Sequence, residues 1–208
     1  MIDLNSPTVR RVLERFGIDD IDARGAVEAY EMARQAFDRF AGLDAPELPS
    51  GTVDALQVRL VRWQTANFGV ARAYQLALGV AEEFGELAAA STKAETVDAI
   101  GDVLIYACQM ATLHRLAFVE AIDGDTFAMR VPQGAAPGLL AHVTLKADQR
   151  IRGLDDPELA RFATFLALVA VVDEVRCFDA DPVECFTSTA RIVMERNWRA
   201  DAVTGGAA

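Results

Sequence analysis

The sequence predicts an all-α protein built as a helical bundle. Apolar residues recur at helical spacing along most of the 208-residue chain, a pattern typical of amphipathic helices. Alternation that would indicate a β-strand is confined to a short stretch at residues 127–131. Two connectors rich in Pro and Gly, at residues 42–51 and 122–138, interrupt the helical pattern.

Eight helices are expected in order along the chain, each where the apolar period is unbroken. They cover residues 7–16, 22–42, 53–68, 70–91, 95–117, 137–152, 156–177 and 181–199. The connectors divide the chain into an N-terminal helical extension (1–50), an acidic helical core (51–120), a linker (121–138) and C-terminal helices that complete the bundle (139–208). A chain of this length can bury all of these segments in one core.

Composition and charge narrow the class of protein. With 52% apolar and 25% charged residues, the chain is ordinary for a globular protein. Its net charge of −11 opposes binding of DNA or RNA, whose phosphates are contacted mainly by clusters of Lys and Arg. No nucleic-acid partner is therefore expected.

A cytoplasmic location without a membrane partner is expected from three further observations. The longest apolar stretch, residues 162–172, is shorter than the roughly 20 residues that cross a bilayer. No signal peptide pattern begins the sequence. Cys108, Cys177 and Cys185 lack CxxC spacing, so they are interpreted as buried thiols of a reducing compartment.

Five acidic residues on two consecutive predicted helices are the most informative feature. Glu82, Glu83 and Glu86 occupy an arc of roughly 100° on the first helix. From Val97 to Leu113 the second helix is apolar almost all round, and only Asp98 and Asp102 interrupt the pattern. Such a helix is usually buried, so its carboxylates must be neutral, paired or bound to a cation. Crowded carboxylate oxygens suit Mg²⁺ or Mn²⁺, and the pattern predicts a divalent-metal site inside the molecule.

Simpler interpretations compete with this metal site. The glutamates by themselves fit a solvated helix face, and Asp98 fits an acid near a helix start, but Asp102 lies a turn deeper among apolar residues. A di-iron bundle needs Glu-x-x-His pairs, and neither His114 nor His142 has a glutamate three positions earlier. A His-based zinc site is disfavoured for the same lack of histidines.

The residues around the acids resemble a known family. In order, the chain contains Trp63-Gln64-x-x-Asn67-Phe68, then Ala81-Glu-Glu-Phe-Gly-Glu-Leu87, then Asp98-Ala-Ile-Gly-Asp102-Val-Leu-Ile-Tyr106. This arrangement resembles the MazG-like, all-α nucleoside triphosphate pyrophosphohydrolases, whose signature is EExxE followed downstream by ExxD. The similarity covers residues 60–116 well, and residues 140–153 and 195–198 look more loosely like later helices of phage-type members.

The chain departs from the family signature at Ala99, where the signature would place a glutamate. Asp98 shares a helix face with Asp102 at i, i+4 spacing, with a shorter arm than glutamate. Glu95 and Asp98 also fit the ExxD string, but in the wrong frame relative to the Gly-Asp-Val-Leu motif. The departure leaves open the number of bound ions and the rate of catalysis.

The resemblance implies hydrolysis of a nucleoside triphosphate to a monophosphate and pyrophosphate with Mg²⁺, or Mn²⁺ as a substitute. The expected metal ligands are Glu83, Glu86, Asp98 and Asp102, and Glu82 is the expected general base. A homo-oligomer, most simply a dimer, is also implied. Removal of damaged nucleotides, control of dUTP or dCTP, and alarmone hydrolysis all fit the same plan.

Candidate substrate-binding residues lie outside the acidic helices. Trp63 and Phe68 are candidates for stacking on a base while Gln64 and Asn67 bond its edge. Because the two aromatics are five positions apart, at least one is expected in the core. Candidates for phosphate contact are the stripe His142, Lys146, Gln149 and Arg150, followed by Arg196 and Asn197 near the last helix end. Their alternatives are a solvated basic face and a cation at a helix C-terminus.

Two functions of other classes remain open at this stage. A catalytically silent nucleotide sensor or oligomeric regulator would explain Ala99 at the position of the family glutamate. A purely structural interaction module would carry the same acids as an exposed surface. Divalent-ion binding and pyrophosphate release separate the three functions.

Overall fold

The computed structural model describes residues 2–41, 51–122, 127–151 and 154–198. The helices in these ranges are α1 (Pro7–Arg15), α2 (Asp22–Phe40), α3 (Val53–Phe68), α4 (Ala73–Ala89), α5 (Lys93–Leu113), α6 (Val119–Ile122), α7 (Ala136–Asp148), α8 (Pro157–Arg176) and α9 (Pro182–Met194). No residue of these ranges belongs to a β-strand. The predicted all-α class is therefore confirmed.

The prediction of a short β-strand at residues 127–131 is wrong. This segment is irregular and lies against the N-terminal helices, because the Ala128 N–H donates to Asp22 Oδ1 (3.2 Å) and the Arg130 N–H donates to the Phe16 carbonyl (3.2 Å). Its backbone groups are thus paired one at a time with different partners rather than with a neighbouring strand.

The eight predicted helices are present, but several end earlier than expected. α5 and α7 stop because Arg115 and Arg150 adopt left-handed backbone, with φ of 57° and 50°. In both turns the N–H of the next residue donates back to a carbonyl of the last helical turn, as in a Schellman motif. The short helix α6 was not predicted, since four residues carry no measurable period. Positions 42, 152 and 199, which end three predicted helices, lie outside the described residues.

α5 is the central helix of the bundle and packs against α3, α4, α8 and α9. α4 and α5 form an antiparallel hairpin joined by residues 90–92. α7 packs against both α8 and α4, so it lies beside the hairpin. α8 is buried along most of its length and contains the apolar stretch 162–172. None of the helices in the described segments is both long and apolar enough to span a membrane.

The N-terminal helices share the core of the bundle. Tyr30 of α2 is fully buried, with its ring 5.3 Å from Phe162 and 6.0 Å from Phe165 of α8. Buried residues from all four predicted segments belong to one continuous hydrophobic cluster. Cys108 and Cys185 are buried as expected, whereas Cys177, just after α8, is exposed, so the prediction of a buried thiol is wrong for Cys177.

Candidate functional site

The hairpin of α4 and α5 positions the five predicted acids. α5 begins with a capping box, in which the Glu95 carboxylate accepts from the Ser91 N–H (2.7 Å) and the Thr92 N–H (3.0 Å), while Thr92 Oγ1 accepts from the Glu95 N–H (3.2 Å). The hydrogen bond from the Ser91 backbone is the largest cause holding the pKa of Glu95 below its usual value. Glu95 therefore serves the helix start, which argues against the alternative ExxD frame.

Close contact between the two helices sets their register. A methyl group placed on Gly79 would lie 2.5 Å from Cε1 of Tyr106, so only glycine leaves room for this ring. One turn further along each antiparallel helix stand Glu83 and Asp102, and each carboxylate lies within the electrostatic range of the other.

A further turn along the hairpin brings the remaining acids to the same face. Glu86 and Asp98 line one hollow of about 290 Å³ near the α4–α5 connection. The structure thus gathers Glu82, Glu83, Glu86, Asp98 and Asp102, the acid cluster, along one face of the hairpin.

Burial and mutual repulsion raise the pKa of two members of the acid cluster. Burial, followed by repulsion from Asp102 and then from the other acids, raises the pKa of Glu83 to about 7. The pKa of Asp102 is raised to about 6 by burial first and then by repulsion from Asp98, against the opposite effect of the Arg196 guanidinium. These carboxylates therefore sit where negative charge is unfavourable without a nearby cation.

The acid cluster is open to solvent on one side. Glu83 and Asp102 are half-buried, but Glu82, Glu86 and Asp98 are exposed. The expectation of a cage enclosed within the molecule is therefore wrong. α5 is buried along most of its length as predicted, yet Asp98 near its start is exposed and Asp102 is only half-buried.

The carboxylates of the acid cluster are suitable ligands for a hard divalent cation, although they do not converge on one point. Within the described ranges, no three His, Cys, Asp or Glu side chains are close enough to form a metal-binding group. Like charges repel at short range, and the exposed glutamates can rotate about their side-chain bonds. All donors are carboxylate oxygens, the ligand type that Mg²⁺ and Mn²⁺ prefer.

Ala99 is only 5% exposed and belongs to the hydrophobic core. Its neighbours Asp98 and Asp102 lie on the other face of α5, at i, i+4 spacing. The position of the family glutamate is therefore used for packing in this chain, and Asp98 is the second acid of α5.

A second close contact brings α9 beside Asp102. A methyl group on Gly101 would overlap the Thr189 side chain of α9, so these two helices also approach through a glycine.

Tyr106, Thr189 and Trp198 were not predicted as site residues. For Tyr106 and Thr189, the signal in the sequence was the glycine that each of them contacts. An isolated glycine inside a helical pattern commonly marks close packing.

Arg196 connects the acid cluster with an aromatic cluster. Its charge acts on Asp102, and its backbone carbonyl accepts a hydrogen bond from Nε1 of Trp63 at 2.8 Å. α9 ends at Met194 rather than at the predicted position 199, so Arg196 lies in the turn after the helix. Arg196 is a candidate for phosphate contact, and that role stays a prediction.

The aromatic cluster consists of Trp63, Phe68 and Trp198. The ring of Phe68 lies 5.6 Å from Trp63 and 6.2 Å from Trp198. Trp63 is half-buried against the core, as expected for at least one of the two predicted aromatics, whereas Phe68 is 57% exposed. The two rings contact each other despite their spacing because Phe68 is the last residue of α3.

The predicted amides have different surroundings. Asn67 Nδ2 donates to the Trp63 carbonyl (3.0 Å), and Asn67 Oδ1 accepts from the Trp198 N–H (2.9 Å). Asn67 therefore ties α3 to the segment after α9, and one donor and one acceptor site of its amide are already used in these bonds. Gln64 and Asn197 are half-buried.

The basic stripe predicted on α7 is not a single helical stripe. Lys146 Nζ donates to Gln149 Oε1 (3.0 Å), and Arg150 lies beyond the end of α7 in left-handed backbone. The charges that shift the pKa values of Glu83 and Asp102 include Arg196 but neither Lys146 nor Arg150. His142 lies in a different groove, against α1. Arg196 is thus the predicted cation that the structure brings to the acids.

Comparison of the chain with protein-family models finds no family that matches. Comparisons with curated proteins and with solved structures also find no match. Support for a function comes from the motifs and from the geometry of the site.

Proposed function

We propose that the chain is a Mg²⁺-dependent nucleoside triphosphate pyrophosphohydrolase of the MazG-like type, which converts a (d)NTP to a (d)NMP and pyrophosphate. The observation that carries this proposal is the acid cluster, in which the half-buried carboxylates of Glu83 and Asp102 have raised pKa values and the charge of Arg196 acts on Asp102. The sequence motifs around the cluster support the same function.

In this proposal, Glu83, Glu86, Asp98 and Asp102 hold the metal. Bound Mg²⁺, or Mn²⁺ in its place, supplies charge that neutralises phosphate oxygens and lowers the pKa of the attacking water. The raised pKa values of Glu83 and Asp102 fit this role, since a cation favours the ionised carboxylate.

Other residues of the site bind the nucleotide and move the proton. Glu82 is exposed on the same helix as Glu83, where it accepts a proton from the attacking water as general base. The Arg196 guanidinium binds phosphate oxygens through its planar set of N–H donors. The exposed ring of Phe68, beside Trp63, offers a face for stacking of the base, and Gln64 is a candidate for its edge.

Three predicted contacts have weaker support from the geometry. Lys146 and Arg150 belong to the α7 end, and Asn197 follows Arg196. Their contact with phosphates stays a prediction. A cytoplasmic homodimer or larger homo-oligomer is also part of the proposal, and the open side of the acid cluster is the surface that a second subunit would cover.

Release of pyrophosphate from a panel of dNTPs in Mg²⁺ tests the proposed function. We expect turnover by the natural chain and a loss of more than about tenfold in Asp102→Asn, because the substitution removes one carboxylate of the metal set. Glu28→Gln, an exposed change on α2, is the matched control and should leave turnover unchanged. Equal rates in Asp102→Asn and the natural chain would contradict the proposal, as would absence of pyrophosphate with every substrate.

A nucleotide sensor is the second candidate, and the burial of Ala99 favours it. A sensor would show a thermal shift with Mg²⁺ and nucleotide without releasing pyrophosphate. A structural interaction module would show neither effect, and Asp102→Asn would leave its response to Mg²⁺ unchanged. Thermal shifts measured beside the turnover assay therefore distinguish all three functions.

A further inference from the structure

A second groove with basic residues lies on the face of α7 away from α4. Arg11 and Arg15, one turn apart on α1, line it together with His142 of α7. The groove encloses a cavity of about 240 Å³, and its remaining lining residues are the apolar Val12, Phe16, Val143, Leu154 and Ala163. The α7 residues that face α4 are a different set, which includes Ala141, Thr144, Leu145 and Asp148. The groove is thus separate from the acid cluster on α4 and α5.

The charge of this groove is opposite to that of the chain as a whole. The protein carries a net charge of −11, yet no Asp or Glu of the described ranges lines the cavity. Several other arginines have acidic partners, including Arg10 on the same helix, which pairs with Asp20 at 3.1 Å. Arg11 and Arg15, in contrast, form no ion pair with the described residues. Their charge is available to a ligand.

The cavity also offers an apolar surface. Val12, which is half-buried, and Leu154, which is 7% exposed, form the accessible apolar floor below the charged rim, and the other apolar lining residues are each at most 2% exposed. A ligand that satisfies both parts of the groove needs an anionic group at the arginines and an apolar group at the floor. Guanidinium groups bind carboxylate and phosphate oxygens through paired N–H donors.

We propose that this groove is a binding site for a small amphipathic anion, namely a carboxylate or phosphate monoester that bears a short apolar group. Arg11 and Arg15 bind the oxyanion, and the apolar floor at Val12 and Leu154 packs against the apolar group. None of the described residues that line this groove belongs to the acid cluster. The proposal is therefore independent of the proposed pyrophosphohydrolase activity.

Titration of the full chain with four probes tests this site. Phenyl phosphate and benzoate carry the two possible anionic groups, inorganic phosphate lacks the apolar group, and benzyl alcohol lacks the charge. Binding is followed by the imidazole NMR signals, of which the chain has two, from His114 and His142. His142→Gln assigns the responding signal.

We expect saturable binding of phenyl phosphate, benzoate or both in the roughly millimolar range, with a shift of the His142 signal. The stronger of the two identifies the anionic group. Inorganic phosphate and benzyl alcohol should each bind at least about tenfold more weakly, because each satisfies only half of the groove.

The double variant Arg11→Gln/Arg15→Gln should lose about tenfold or more in affinity for the anion. Both arginines are exposed, so the variant is expected to fold, which circular dichroism checks. Arg24→Gln, an exposed change on α2, should bind as the natural chain does. Unchanged affinity in the double variant, equal binding of inorganic and phenyl phosphate, or no saturable shift with either organic anion would overturn the proposal.

Discussion

At the scale of single residues, partial burial changes the acidity of Glu83 and Asp102. Each is half-buried beside other carboxylates, and its pKa is raised, first by burial and then by repulsion. A group of this kind releases its proton more readily when a cation binds. Glu83 and Asp102, whose pKa values are raised by their surroundings, are therefore both among the candidate metal ligands that the sequence pattern predicts.

His114, the residue that follows α5, provides a prediction about pH and stability. Its Nε2 atom is buried without a hydrogen-bond partner among the described residues, and burial, followed by the charge of Arg161, lowers its pKa to about 4. The unfolded chain binds this proton near pH 6.5, whereas the folded chain does not. Folding stability should therefore decrease as the pH falls from 6.5 to 4, by up to about 3 kcal/mol.

Urea denaturation at pH 7 and pH 5 measures this effect. In His114→Gln, the difference in the free energy of unfolding between the two pH values should be smaller than in the natural chain by about 2 kcal/mol. Comparison of the two proteins cancels the contribution of the other titrating groups. The same pH dependence in both proteins would show that His114 takes up its proton in the folded state.

At the scale of helices, Gly79 and Gly101 allow the close contacts between helices that build the site. Gly101→Ala should destabilise the protein by about 1–3 kcal/mol, because the added methyl group overlaps Thr189 of α9 in a packed interface. Gly85→Ala on α4 is the matched control. It has open space at the methyl position, and alanine favours the helix over glycine by about 1 kcal/mol, so this variant should be more stable. Chemical denaturation of both variants checks the opposite signs, and destabilisation of equal size would refute the packing argument.

Gln57 joins α3 to the end of α5 through a fully buried side chain. Its Nε2 donates to Thr112 Oγ1 (2.9 Å) and to the Leu116 carbonyl (2.8 Å), while its Oε1 accepts from the Phe118 N–H (2.8 Å). Gln57→Leu should reduce the free energy of unfolding by about 2–4 kcal/mol, since it leaves two buried backbone groups unpaired.

Thermal or urea denaturation measures the effect of Gln57→Leu against Gln35→Leu, an exposed change on α2. The control should change the free energy of unfolding by less than about 0.5 kcal/mol. A similar small effect in Gln57→Leu would mean that water replaces the lost hydrogen bonds.

At the scale of the whole molecule, the N-terminal helices are part of the bundle. Glu158 at the start of α8 accepts from Tyr30 Oη (2.9 Å) and from Arg34 Nη1 (2.7 Å), both of α2. The Tyr30 ring covers Phe162 and Phe165 of α8. Buried residues of α1 and α2 belong to the same hydrophobic cluster as the acidic hairpin.

Removal of residues 1–50, the predicted extension, should abolish cooperative unfolding, because α8 would expose its large apolar surface to water. Denaturation of the shortened chain, with binding of a hydrophobic dye as a second measure, checks this expectation. A shortened chain that unfolds cooperatively and keeps its thermal shift with Mg²⁺ would show that residues 51–208 form an independent unit.

The motifs identified the acids but not the full set of their neighbours. Tyr106 and Thr189 contact glycines of α4 and α5, respectively, and such contacts between helices leave only the glycine as a signal in one sequence. Asn67 was predicted to bond a base, yet its amide bonds Trp63 and Trp198. Polar side chains can serve a ligand or the fold, and the choice depends on which backbone groups pack nearby.

The amino-acid sequence by itself determined the all-α class, the location of the eight longer helices and the placement of the five acids on two consecutive helices. These properties follow from helical periodicity, which acts over a few residues. Only the tertiary structure decided that Arg196 lies beside Asp102, that Ala99 faces the core and that His142 turns toward α1. These arrangements depend on packing between helices that are distant in the chain, and a local pattern does not encode the direction in which one helix meets another.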